Sequence, residues 1–157
     1  MGQPLKARLK QNSDFKSKAQ EATLSLIVAG VHLRRQSERI FKKHDLNFSY
    51  YNVLRILRGS PEEGYPRCEI IGRMIDPAPD VTRLIDQLVE KGWVRRERSD
   101  VDRRVSLHWI TEKGLDLLNS IDAELDAMTE SFARVVGEQD MDELIRICSA
   151  VYSHEAL

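Results

Sequence analysis

Six side chains carry the chemistry that this 157-residue sequence offers most openly. Thr82, Arg83 and Gln87 lie on one side of "DVTRLIDQLVEKG", while Asp102, Arg103 and Arg104 close the stretch "SDVDRR". None of them pairs a nucleophile with a base, sets two carboxylates against each other or gathers metal ligands. They are short or fork-shaped hydrogen-bonding groups, the kind that address base edges and phosphates. An arginine on a projecting tip can enter a narrow minor groove, where the negative potential is strongest. Aspartates beside it would repel phosphate if left free. Asp102 makes sense as a brace that aims the arginines, trading charge for fixed geometry.

Such residues need a helix and a ribbon to present them. Val81, Leu84, Ile85 and Leu88 recur at i, i+3, i+4 and i+7, which predicts a helix with one buried stripe. Pro79 suits its first turn and Gly92 ends it. Residues 80–91 make a helix of roughly 18 Å, and a major groove admits one such helix. "WVRRER" and "VSLHWI" read as strands on either side of "SDVDRR". In the second, Val105, Leu107 and Trp109 alternate with Ser106 and His108, the pattern of a half-buried strand. A tight hairpin would use about two turn residues. Residues 99–104 are more than that, mostly charged, and predict a projecting wing.

The remaining elements frame this unit. A long helical pattern from about Ser17 to His44 carries Leu24, Ile27, Val28 and Val31 on one stripe, with Ile40 and Phe41 later. Leu26 and Leu33 fall off that stripe, so the helix is predicted to pack against more than one partner. Asn47 or Ser49 caps a second helix, which buries Val53, Leu54 and Leu57 and stops at the loop "GSPEEGYP". "RCEIIGRMI" reads as a third, short helix burying Ile71, Met74 and Ile75, after which Pro77 and Pro79 enforce a turn. Downstream, Thr111 caps a helix whose apolar positions Leu118, Ile121, Leu125, Met128, Phe132 and Val135 form a heptad seam. A last helix shows Met141, Leu144, Ile145, Cys148 and Tyr152 on one face. Residues 1–14 read as loosely ordered.

Composition narrows the classes. With 41% apolar and 31% charged residues the chain is globular. No apolar run approaches the length of a membrane span, and the basic start lacks the apolar stretch of a signal peptide, so a cytoplasmic protein with no membrane partner is expected. Four scattered histidines, His32, His44, His108 and His154, show no ligand spacing, and no metal or cofactor is expected. Nothing resembles GxSxG, HExxH or a P-loop, so no enzyme is expected. Cys68 and Cys148 have no CxxC partner and are expected to be reduced and buried. The net charge of −1 hides a segregation. Residues 1–60 hold twelve Lys/Arg against four Asp/Glu, and residues 111–157 hold three against eleven. Different surfaces are therefore expected to meet different partners.

Short helix, tight turn, helix and two-stranded ribbon, in that order, make a winged helix-turn-helix. The stretch "DVTRLIDQLVEKGWVRRERSDVDRRVSLHWITEKGLDLL" resembles the core of the MarR family of transcription regulators, and "FSYYNVLRIL" is similar to that family's second helix. The resemblance covers about Leu46 to Leu118. It implies a mainly α fold with a small β-ribbon: a winged helix-turn-helix domain over residues 46–111 and a helical dimerisation region from residues 15–45 and 112–157. It implies a homodimer on double-stranded DNA at a near-palindromic operator, most often a ligand-responsive repressor. The helix at about 80–91 would occupy the major groove and the wing at 99–104 the minor groove. Carried over residue by residue, the contacts come from Thr82, Arg83 and Gln87 on the helix and from Arg103 and Arg104 on the wing, with Asp102 as their partner. A small aromatic or phenolic effector is implied between the two regions, with His32, Arg35, Tyr50 and Tyr51 as candidates. One departure is "PAPD", where many members begin the recognition helix with Ser or Thr. Pro79 donates no backbone N–H, and Asp80 either caps the helix or accepts from a cytosine amino group. The residues also fit a reading of another class, a winged-helix protein-interaction module that binds no DNA.

Overall fold

In the computed structural model, which describes residues 3–77 and 79–154, four helices start where a side chain caps them. Ser17 accepts from the Gln20 N–H at 3.1 Å, opening α2 (Lys18–Lys42). Asn47 accepts from the Tyr50 N–H at 2.8 Å, opening α3 (Phe48–Arg58). Asp80 does the same for α5 (Val81–Glu90), and Thr111 for α6 (Glu112–Val136). Each cap satisfies a donor that the helix itself leaves orphaned. The other elements are α1 (Gln3–Leu9), β1 (Tyr65–Pro66), α4 (Arg67–Arg73), β2 (Val94–Arg98), β3 (Ser106–Ile110) and α7 (Glu138–Tyr152). The architecture is mainly α with a small antiparallel sheet in the order β1-β3-β2.

α3 sits at the centre, packed against α2, α4, α5, α6 and β3. Its Val53, Leu54 and Leu57 are buried with Phe41, Ile70, Ile85, Leu88, Leu118 and Ile121. The predicted stripe of α5 is buried throughout: Val81, Leu84, Ile85 and Leu88. β2 and β3 pair from Val94 opposite Ile110 to Arg98 opposite Ser106. The heptad seam of α6 starts in this core at Leu118 and Ile121 and emerges from it, so that Val135 is 83% exposed. Ile27 and Val31 on α2 and Ile145 and Ile147 on α7 are also exposed. None of the described helices is long and apolar enough to cross a membrane.

Several expectations give way here. Residues 1–14 contain the helix α1, with Leu5 buried; seven residues are too few for a legible stripe. The loop "GSPEEGYP" contains β1, which pairs Tyr65 with His108 and Pro66 with Leu107. Gly64 makes this possible at φ +74°, where a Cβ would lie 2.4 Å from the Trp109 ring. α4 buries Ile70 and leaves Ile71 and Ile75 exposed. The helix ends at Arg73, so Ile75 no longer follows its period, while Met74, extended at φ −69° and ψ 137°, still reaches the core. The alternation of β3 is reversed. His108 points inward and is buried, while Leu107 and Trp109 are only half-covered. Trp109 finds its cover from Arg95, whose guanidinium lies 4.0 Å above the ring. Neither cysteine is fully buried: both are free thiols, Cys68 exposed on α4 and Cys148 half-buried on α7.

Candidate nucleic-acid interface

α5 turns Thr82 and Arg83 to solvent. Asp80 accepts from the Arg83 N–H at 3.0 Å, so its role is that of the helix cap. The Thr82 hydroxyl accepts from Arg67 Nη1 at 2.7 Å, which joins the start of α4 to the exposed face of α5. Asp86 pairs with Arg96 of β2 and ties the helix to the wing strand. Gln87 faces elsewhere than predicted. It lies on the flank next to Leu84, half-buried, and its side-chain oxygen accepts from the Tyr50 hydroxyl at 2.9 Å.

The wing is a built loop. Ser99 N–H donates to the Val105 carbonyl at 2.9 Å, and Val105 N–H donates to the Asp102 carbonyl at 2.8 Å. Ser99 Oγ accepts from the Val101 N–H at 3.2 Å. Arg104 then donates to Asp102 three times: Nε to Oδ1 at 3.1 Å, Nη2 to Oδ2 at 3.1 Å and backbone N–H to Oδ1 at 3.0 Å. These bonds, the side-chain ones first, hold the Asp102 carboxyl below the usual carboxylate range. The Arg104 side chain is nonetheless 91% exposed, a fork held out into solvent in one pose. Arg103 beside it is exposed and makes no ion pair among the described residues.

Between α4, α5 and the wing runs a cleft of about 360 Å³ walled by Arg67, Cys68, Thr82, Arg96, Arg104 and His108. His108 Nδ1 lies 3.1 Å from the Tyr65 carbonyl oxygen, so this nitrogen carries the ring proton and donates it. Burial lowers the His108 pKa, and the neighbouring Arg96 and Arg67 lower it further. The surface is lined by cationic forks and the Thr82 hydroxyl. No cluster of three or more possible metal ligands exists among the described residues.

Residues 74–106, which run from the end of α4 through the wing, match the family model described as MarR family. The HTH-type transcriptional regulator MhqR of Bacillus subtilis (strain 168) is 31% identical over 100 residues, spanning 64% of this chain and 68% of that one. The chain belongs to the MarR family. Among solved structures, this MarR-family chain is similar to the MarR transcription factor from Planctomyces limnophilus, 34% identical with a TM-score of 0.66 over 87% of this chain and 99% of that one. It is also similar to CouR from Rhodococcus jostii RHA1. CouR bound to p-coumaroyl-CoA is 22% identical, with a TM-score of 0.69 over 87% of this chain and 95% of that one. CouR bound to a 23-mer DNA duplex is 20% identical, with a TM-score of 0.76 over 89% and 99%. The CouR likeness is one of fold.

In this MarR-family protein the four residues expected to hold an effector do not converge. His32 edges a groove of about 460 Å³ between α2 and α6, together with Arg39, Lys43, Glu124, Met128 and Phe132. Arg35 is exposed and does not line that groove. Tyr50 meets Trp93 edge-on at 6.3 Å and bonds Gln87. Tyr51 stacks on Phe41 at 4.6 Å, and burial raises its phenol pKa. Neighbouring residues on a helix point about 100° apart, and here Tyr50 turns to Trp93 and Gln87 while Tyr51 turns to Phe41. Sequence reasoning missed Arg67 and Arg96. No spacing marks Arg67, a loop-side residue of a short helix. For Arg96 the one available sign is its complementary charge to Asp86.

Proposed function

We propose that this MarR-family protein is a homodimeric, sequence-specific DNA-binding regulator of transcription, acting as a ligand-responsive repressor. One observation carries the reading: an exposed Thr82 and Arg83 on α5 stand beside a wing whose Arg104 is fixed outward by Asp102. α5 lies in the major groove, with Thr82 and Arg83 toward bases and phosphates. Gln87 supports that pose through Tyr50 and keeps its amide N–H groups for the duplex. Arg104 enters the minor groove and Arg103 meets the flanking backbone. Residues 46–111 form the reading domain. Residues 15–45 and 112–157 join it to a second copy through the exposed apolar residues of α2, α6 and α7. Two α5 helices then meet successive major-groove faces, about 34 Å apart.

The duplex seen with CouR supports this reading, and its p-coumaroyl-CoA supports an effector of phenolic character. The α2–α6 groove suits such a ligand. Met128 and Phe132 offer an apolar wall, and Arg39 and Lys43 stand near for an anionic group. Lys43 and His44 both bond Glu124, which holds that carboxyl below its usual range. A ligand that binds better to a mismatched helix spacing lowers DNA affinity by that difference in affinity and no more. The protein acts in the cytoplasm and performs no catalysis.

The test is nuclease footprinting and fluorescence anisotropy on the promoter beside its own gene, against a random duplex. The expected result is a dyad-symmetric footprint and an affinity that falls steeply with salt as phosphate contacts release counterions. Equal affinity for both duplexes, with no footprint, would replace this reading with the protein-interaction module.

A further inference from the structure

Asn52 is the anomalous member of the core. It lies in the middle of α3 at 1% exposure, beside Val53 and Leu54. Its side-chain oxygen accepts from the Ile75 N–H at 2.9 Å, yet its side-chain nitrogen has no hydrogen-bond partner among the described residues. A buried donor without a partner weakens a fold. Leucine has a similar size and would fill the site without the orphaned side-chain donor, at the cost of leaving the Ile75 N–H without its acceptor. What leucine cannot do is hold Ile75.

Ile75 belongs to the turn between α4 and α5. The chain leaves α4 extended at Met74 and passes Asp76 and Pro77 before Asp80 caps α5. The Ile75 side chain is 67% exposed and anchors nothing. Pro77 and Pro79 have no backbone N–H with which to fasten the turn. Arg34 of α2 reaches Asp76 at 2.9 Å, but both partners are half-exposed, and such a pair contributes little. The buried Met74 side chain is the other anchor, and it packs without direction. Among the described residues, the directional tie from the core to this turn is therefore the Asn52–Ile75 bond. Thr82 and Arg83 sit in the first turn of α5, directly behind it. A displacement of the turn acts on the start of α5, where Asp80 caps the helix and Val81 enters the core.

We propose that Asn52 is a positioning residue for DNA recognition: by holding the Ile75 amide, it sets the depth and angle at which α5 delivers Thr82 and Arg83 to the duplex. The proposal rests on the DNA-binding reading above. It explains why the core keeps an asparagine whose amide nitrogen is unsatisfied.

Two variants and two duplexes decide it. One duplex is selected from a random pool by the wild-type protein, and the other is unselected. Binding is read by anisotropy, and each protein's Tm is measured. Asn52→Leu removes the acceptor and the orphan donor together. Asn52→Asp keeps an acceptor for Ile75 and places a carboxyl in the core. Asn52→Leu is expected to melt near wild type, the lost orphan amide offsetting the unpaired Ile75 N–H, to keep its affinity for the unselected duplex and to lose about tenfold or more on the selected one. Asn52→Asp is expected to melt lower and to retain more selectivity than Asn52→Leu. Selectivity then follows the Ile75 bond and runs against stability, an order that a purely structural role does not produce. Wild-type selectivity in Asn52→Leu overturns the proposal, as does selectivity that falls in step with Tm across both variants. If Asn52→Leu does not fold, amide exchange at Ile75 in the wild type decides: strong protection supports the tie, and exchange at the free-peptide rate overturns it. A wild-type protein that selects no duplex removes the DNA-binding reading itself, and Asn52's role with it.

Discussion

Gly114→Ala adds a single methyl group at the joint between the reading lobe and α6. Gly114 lies in the first turn of α6, where its N–H donates to Thr111 Oγ1 at 3.1 Å. A Cβ there would stand 2.4 Å from the Trp93 carbonyl oxygen and 2.8 Å from Ile110 Cγ1. The carbonyl cannot swing aside, because it accepts from the Thr111 N–H at 3.0 Å. The Thr111 hydroxyl is itself held by the Gly92 carbonyl at 2.7 Å. Real Cβ atoms stay beyond 3.0 Å of such neighbours, so α6 and the turn after α5 must part by about 0.6 Å or more. Overpacking of this kind costs about 1–3 kcal/mol, and backbone on both sides places it at the upper end. The better helix propensity of alanine returns about 1 kcal/mol at most. The net loss of about 2 kcal/mol lowers Tm by about 4–8 °C for a chain of this size. Gly72→Ala is the control. It is the same replacement in exposed α4, where nothing lies within 4 Å of the added carbon, and it is expected to hold or raise Tm. Thermal melts followed by circular dichroism at one protein concentration separate the two, since Tm of an oligomer depends on concentration. A Gly114→Ala protein that melts with the wild type refutes the close approach of α6 to Trp93.

Asp102→Ala frees Arg104 from its fixed pose; affinity for a selected duplex should fall about fivefold to tenfold while affinity for an unselected one holds or rises, because a negative charge has gone. Equal losses on both duplexes, measured by anisotropy, would end the idea of a brace. Arg104→Ala should lose as much, and the double variant no more than Arg104→Ala alone. His108 tests the pH response: burial holds its folded pKa below the ordinary 6.5, so the unfolded chain takes up the proton first. Stability from this group is complete above about pH 7 and declines as pH falls below 6.5, until the folded pKa is passed. His108→Gln should flatten that decline in urea unfolding compared at pH 7.5 and 5.5, and an unchanged decline in the variant would exclude His108 as its source.

The parts legible in the sequence are those where one local rule acts alone. The α5 stripe obeys a strict helical period over ten residues, and every predicted member is buried. The caps at Asn47 and Thr111 follow from side chains that suit one place in a helix. Asp102 bracing Arg104 could be foreseen because the two lie within one turn of chain. What stayed hidden depends on partners distant in sequence. β1 has two residues, one of them proline, and exists only because β3 lies beside it. His108 turns inward because Tyr65 offers its carbonyl, 43 residues upstream. The period of α5 puts Gln87 on the outward face, and a bond from Tyr50 on another helix draws its side-chain oxygen to the flank. The effector residues were chosen by their place on two helices, and the rotation of each helix then sent them to separate surroundings.

Buried Leu88, Trp93 and Val94, the Trp93 N–H donating to the Leu88 carbonyl at 3.0 Å and, more weakly, the half-exposed Asp86–Arg96 pair link α5 to the strand that carries the wing. With α5 and the wing seated on a duplex as proposed, this linkage would make the lobe a two-legged clamp. When one leg is seated, the other is confined near its groove at a high effective concentration, so a leg that lifts is returned before its fellow lets go. Residence time is then governed by simultaneous detachment. The same linkage means that a modest tilt of the whole lobe unseats both legs at once, and release needs no contact to be broken first.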